Sequence, residues 1–327
     1  MKNLVADFSA HLGAAIEIGQ NAAIAKPEIE IRNVLITGLG GSGIGGTIAA
    51  QCLDQELAVP VVVCKDYFPP AFINQHTLVI VCSYSGNTEE TVQAFEVALK
   101  KGAQIVCVAS GGKIIDLART NGIENIIIPG GMPPRAMFGY SFTQLFFVLN
   151  KKGLCSDKFL GEINDAIKML QANEEATQAE AMEVAKKVMG KIAVLYSDAG
   201  YEGVCVRFRQ QINENSKMLC WHHALPEMNH NELVGWVEKN ENLAVMFMRN
   251  NDDYIRTQTR LDYTKEVASN VTSTIIELWS KGESKLARTL YLVHIGDWIS
   301  CYLADMKGID AVEVNVITKL KNALAGK

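Results

Sequence analysis

The sequence lacks any Cys-x-x-Cys pair, and its eight cysteines (Cys52, Cys64, Cys82, Cys107, Cys155, Cys205, Cys220 and Cys301) sit mostly inside apolar runs. That excludes a zinc ribbon and a disulfide frame, and buried free thiols in a reducing cytoplasm are expected. His-Glu-x-x-His is absent, as is any Cys/His cluster at ligand spacing, so no metal is expected. There is no basic surplus: the net charge is −5, which gives no reason to expect nucleic acid. No apolar run approaches the roughly 20 residues a membrane span needs, so no membrane partner is expected. The first residues, MKNLVADFSAHLGAAIEIGQ, carry Asp7 and Glu17 and have no cleavage site. They read as an ordinary helix rather than a signal peptide. GxxxxGK[ST] is also missing, which excludes a P-loop.

What is present is a globular composition, 48% hydrophobic and 20% charged, in 327 residues. That length accommodates two domains, each with its own core. Residues 4–25 predict an amphipathic helix. After it, apolar runs at 33–37, 59–64, 78–82, 104–109 and 125–128 alternate with helical stretches at 44–55, 89–100 and 113–119. Strands alternating with helices predict an α/β fold with a parallel sheet covered on both faces. A helix over 141–150 ends at Lys151-Lys152-Gly153, and a domain boundary is expected near 153–160, giving units 1–153 and 154–327. After a long helix over 166–189, the second half repeats the plan. Strands are expected at 191–196, 242–248 and 274–278, with helices at 201–219, 254–268, 286–303 and 311–324. Arg288, His294 and Asp297 interrupt the 286–303 helix, which therefore reads as buried rather than membrane-spanning.

Two loops lie at the carboxyl ends of strands, where open parallel sheets bind ligands. The first is Gly38–Gly46 (GLGGSGIGG). Its Gly38, Gly40 and Gly43 fit the dinucleotide pattern GxGxxG, with Asp66 in reach of a ribose. Gly41 and Ser42 lie inside it. The second is Ser83–Thr91 (SYSGNTEET), with hydroxyls on Ser83, Ser85, Thr88 and Thr91 ahead of a helix. A helix N-terminus offers unpaired N–H groups, and hydroxyls beside them make a phosphate cradle. The alternative is a capping box on Ser85 or Thr88. Capping needs one hydroxyl, and this loop has four. Neither loop contains Lys or Arg.

Pro133-Pro134-Arg135 follows the fifth strand, with two prolines to fix the approach of the guanidinium. The alternative is a surface arginine after a stiff turn. Arg207, Gln210, Glu214 and Lys217 share one helix face, with Val204, Phe208, Ile212 and Leu219 expected in the core. That polar face is either a solvated ion-pair ladder or a carboxylate base in basic company. His230, in the turn-forming stretch Pro226–Glu232 (PEMNHNE), has no apolar pattern around it. An imidazole there suits proton transfer. His222 and His223 are placed at a helix end.

GLGGSGIGG, SYSGNTEET, PPR, INENSK and PEMNHNE, in this order, resemble the bifunctional phosphoglucose/phosphomannose isomerases among the SIS (sugar isomerase) domain proteins. The resemblance spans essentially the whole chain. It implies two SIS-type domains in a cytoplasmic homodimer. It further implies that Gly41, Ser42, Ser83, Ser85 and Thr88 hold a sugar phosphate and that Arg135 stabilises an enediolate. The resemblance also implies that Glu214 moves the proton between C2 and C1 and that His230 assists ring opening from the neighbouring subunit. A C-terminal lysine is also implied; Lys321 fits the pattern of 317–324 first, Lys319 second, and Lys327 also competes. The implied substrates are glucose 6-phosphate, mannose 6-phosphate and fructose 6-phosphate, with no cofactor. Such chemistry needs one base, one cation beside the developing oxyanion and one proton donor. Two other readings remain. One is a non-catalytic phosphosugar-binding regulator, which needs none of Arg135, Glu214 or His230. The other is a dinucleotide-dependent oxidoreductase built on Gly38–Gly43.

Overall fold

Alternating burial along the strands decides the layering. In β1 (Asn33–Thr37), Val34 and Ile36 enter one apolar cluster and Leu35 another. A strand with apolar side chains on both faces is stable only when both faces are covered. The computed structural model, which describes residues 1–325, supplies that cover. Helices α1 (Lys2–Ala6) and α2 (Phe8–Asn21) precede β1. Next come α3 (Gly40–Cys52), β2 (Val61–Cys64), β3 (Thr77–Ser83) and α4 (Glu89–Lys100). The first half ends with β4 (Gln104–Ala109), α5 (Gly112–Thr120), β5 (Glu124–Ile127) and α6 (Phe138–Lys151). The second half opens with α7 (Lys158–Val188), β6 (Ile192–Asp198), α8 (Glu202–Ser216) and β7 (Cys220–Leu225). It continues through β8 (Leu243–Arg249), α9 (Ile255–Ser269), β9 (Ile275–Trp279), α10 (Lys285–Met306) and α11 (Asn315–Ala325).

The first sheet is parallel in the order β2-β1-β3-β4-β5, and the second is parallel in the order β7-β6-β8-β9. The second order is the first without its last strand, so the fold is α/β with two sheets of one plan. The largest apolar cluster lies between the sheets. It unites Val34, Ile36 and Ile80 of the first with Leu195, Met246 and Met248 of the second, through Phe142, Phe208 and Leu290 of the helices. Two smaller clusters fill the outer faces, one under α4 and α5, the other under α9. All eight cysteines are free. Burial pushes the Cys107 thiol up to about 12.

Several expected elements are corrected. The first helix is two helices and stops at Asn21. The helix after β1 starts at Gly40, so most of the glycine stretch is helical. Helix α7 begins eight residues before the expected 166 and runs for 31 residues. His222 and His223 lie on strand β7, not at a helix end. Helix α8 ends at Ser216, and Leu219 beyond it is 80% exposed rather than in the core.

Candidate active site

In the first sheet the chain turns back between β1 and β3, which places the loops after those strands side by side at the carboxyl edge. The glycine turn closes tightly. A Cβ on Gly43 would lie 2.2 Å from the Gly38 carbonyl oxygen, and one on Gly38 would lie 2.6 Å from the Cys82 oxygen. Only hydrogen fits at either position. Tyr84 then stitches three loops together. Its N–H donates to Ser42 Oγ (3.2 Å), and its hydroxyl accepts from the Met132 N–H (3.2 Å). Ser110 Oγ donates to its carbonyl (2.6 Å).

The hydroxyl loop does not cap its helix. Thr88 is the N-cap of α4, yet no side chain accepts from the first-turn N–H groups. Ser83 Oγ donates instead to Thr88 Oγ1 (3.1 Å), and Ser85 Oγ accepts from Asn87 N–H (3.3 Å). Thr91 is fully buried, with its Oγ1 unpartnered. Unpaired backbone donors and hydroxyls on one short loop can hold an anion in several directions at once.

Arg135 comes from a 3-10 turn (Pro134–Met137) and is only 5% exposed. A Cβ on Gly41 would lie 3.7 Å from Arg135 Cα, so this turn abuts the glycine loop. Its Nε donates to Asn215 Oδ1 (2.7 Å) and its Nη1 to Glu214 Oε2 (3.2 Å). Nη2 donates to the carbonyls of Ala311 and Val312. A guanidinium has five N–H donors. Four are thus taken by protein, and the fifth sits on Nη1, the nitrogen that faces the Glu214 carboxylate. Burial holds Arg135 below its ordinary value, while Glu214 opposes that shift.

Behind this pair lies a buried polar network on α6, α8 and α10. Arg207 Nη2 donates to the Arg135 carbonyl (3.0 Å) and to Asp297 Oδ2 (2.6 Å), and its guanidinium lies 4.3 Å from the Phe138 ring centre. Gln211 Nε2 donates to Asp297 Oδ1 (2.8 Å), and Asn215 Nδ2 donates to Ser300 Oγ (2.9 Å). Asn215 lies inside INENSK only as the neighbour of Glu214, and Asp297 and Ser300 carry no motif that sequence reasoning could use. Asp297 read only as an interruption of an apolar helix.

The other candidates lie elsewhere in the chain. His230 is exposed on a 3-10 turn (Glu227–His230). That turn packs through Met228 on the outer face of the second sheet, whereas α8 covers the inner face. One chain therefore does not bring His230 to Glu214. Lys319 and Lys321 are exposed on α11, whose residues 315–324 are all exposed. Lys327 lies outside the described residues. Among the described residues no group of three or more His, Cys, Asp or Glu side chains could hold a metal, and no helix is long and apolar enough to cross a membrane.

Residues 177–324 match the family described as bacterial phospho-glucose isomerase C-terminal SIS domain. A bifunctional phosphoglucose/phosphomannose isomerase of Caldicellulosiruptor bescii is 37% identical over 322 residues, 95% of each chain. The chain belongs to the bifunctional phosphoglucose/phosphomannose isomerase family. A member from Aquifex aeolicus is 37% identical across 92% of this chain and 93% of its own. The two-sheet fold of this family is shared with the C-terminal domain of glucosamine-fructose-6-phosphate aminotransferase from Francisella tularensis. That match has a TM-score of 0.75 at 14% identity and covers 95% of this chain and 97% of the other.

Proposed function

We propose that this family member interconverts glucose 6-phosphate and fructose 6-phosphate, and mannose 6-phosphate and fructose 6-phosphate, through a cis-enediol. The observation that carries this reading is the contact of Glu214 with Arg135 at 3.2 Å, beside an uncapped hydroxyl loop. Glu214 takes the proton from C2 and returns it to C1. The free Nη1 donor of Arg135 meets the oxygen on which charge develops. Ser42, Ser83, Ser85, Thr88 and the backbone at Gly41 hold the phosphate, whose binding energy orients the reacting carbons. Because an enediol is common to both aldoses, one base serves both. A non-catalytic regulator would need a cradle but no base against a cation.

His230 belongs to this reading as a ring-opening group contributed by a second copy of the chain, because its own chain sets the second sheet between it and Glu214. Helix α11 supports the same dimer. Val316 (81% exposed), Ile317, Leu320 and Leu324 form an apolar stripe without cover among the described residues. The lysine, Lys321 or Lys319, comes with that helix. In this reading the two units are 1–153 and 154–327, a boundary that would fall in the turn between α6 and α7.

The test is a coupled assay on both aldose phosphates with EDTA present, repeated with Glu214→Gln. General base catalysis contributes about 10²–10⁴ in rate, so the variant is expected to lose at least about 10²-fold in kcat on both substrates. Exchange of the C2 proton with deuterium should stop as well. Near-normal turnover or exchange would remove Glu214 from the role.

A further inference from the structure

Lys217 is the one non-glycine residue among those described with positive φ, at 51°. It sits just past the end of α8, in the left-handed position usually given to glycine. A Cβ is unfavourable there, so the side chain must supply something glycine lacks. Its ammonium has three donors, and all three are taken by backbone carbonyls. These are Glu214 (2.7 Å), Asp310 (3.0 Å) and Glu313 (2.7 Å).

The choice of carbonyls matters. Asp310 and Glu313 bracket Ala311 and Val312, whose carbonyls accept from Arg135 Nη2. Lys217 thus pins both ends of a four-residue strap, and the middle of the strap holds the guanidinium. Lys307 Nζ reinforces the anchor by donating to the carbonyls of Ser216 (2.8 Å) and Lys217 (3.2 Å). Nearby charges surround the ammonium on each side. Arg135 repels it, while Glu313, Asp310 and Glu214 attract it. Without the strap, Nη2 would regain two free donors and the guanidinium could rotate about its bond to Cδ.

We propose that Lys217 is a positioning residue: by fixing the strap 310–313 it commits Nη2 of Arg135 to protein and leaves only Nη1 to face substrate. The inference rests on the isomerase reading, with Arg135 serving the oxyanion. The same strap leads directly into α11, so Lys217 also sets where that helix leaves the body of the protein.

The test is Lys217→Gly, which removes the side chain and leaves the backbone in its preferred residue type. A misplaced catalytic group costs up to about 10²-fold, and a loss of about 10- to 10²-fold in kcat is expected, with KM for glucose 6-phosphate little changed. Added butylammonium, which can refill the three-carbonyl site, is expected to restore part of the rate in Lys217→Gly and to leave the wild type unaffected. A residue that only supports the fold would lower the melting temperature but would not change kcat well below it, nor respond to the amine. If Lys217→Gly does not fold, Lys217→Met keeps the aliphatic stem and carries the same expectation for kcat. Wild-type kcat in a folded variant, with Glu214→Gln inactive, overturns this inference alone. An active Glu214→Gln overturns the isomerase site and this inference with it.

Discussion

Arg135 Nη1 and Glu214 Oε2 stand 3.2 Å apart although 79 positions separate the two residues in the chain. Each lies at the end of an element that the central core fixes: Arg135 before α6, Glu214 in the last turn of α8. The contact therefore depends on how the two halves pack, not on any local motif.

The proposed phosphate cradle is tested by Ser83→Ala combined with Thr88→Ala. Hydrogen bonds to charged groups are worth roughly 1.5–3 kcal/mol each. KM for sugar phosphates is expected to rise far more than kcat falls, and calorimetry should show weakened binding of a non-reactive phosphosugar. Unchanged affinity would place the phosphate elsewhere.

The buried pair Arg207–Asp297 predicts a split between stability and activity. Asp297→Asn leaves Arg207 buried without its counter-charge, an effect of about 3–5 kcal/mol in chemical denaturation. Replacing both, Arg207→Met with Asp297→Leu, is expected to recover most of that stability. Activity should stay low, because the Arg135 carbonyl loses the donor that Arg207 provides. Full activity in the double variant would show that the network does not position Arg135.

Asp253 predicts a dependence of stability on pH. Burial raises its carboxyl to about 6 from 3.8, with Asp198 and Asp252 adding to the rise and Asn250 opposing it. Between about pH 4 and 6 the native state holds a proton that the unfolded chain has released, so stability falls as pH rises through that window. At about 1.4 kcal/mol per unit, the loss is about 2–3 kcal/mol by pH 7. Asp253→Asn is expected to gain on the wild type as pH goes from 4 to 7 in denaturation curves. A constant difference between the two would contradict this.

The proposed dimer with a shared site predicts complementation. Glu214→Gln and His230→Ala should each be nearly inactive. Mixing, unfolding and refolding them together creates mixed dimers with one intact site and one doubly altered site. Activity is expected to return, and mixtures that stay inactive would place His230 outside the neighbouring site.

Much of this was legible because it was local. A buried run entering a hydroxyl loop and a helix start is a pattern of adjacent residues, and α4 begins and ends at the expected Glu89 and Lys100. β7 was not legible, because CWHHAL is half exposed and carries two histidines instead of a β-branched run. The end of α8 was hidden for a different reason. Its stop at Ser216 is followed by a left-handed lysine rather than a glycine, and the usual signal was missing. Asp297 lies 90 positions from Arg207, and only packing pairs them.

The strap that holds Arg135 has a consequence for biosynthesis. Val312 follows Arg135 by 177 positions. At translation rates of about 5–20 residues per second, the arginine leaves the ribosome roughly 10–35 seconds before the carbonyls that hold it exist. The first sheet can form in that interval, but the surroundings of Arg135 are completed only when residue 312 has been made. The guanidinium is thus fixed only after both sheets, and the helix between them and the strap, have been synthesised.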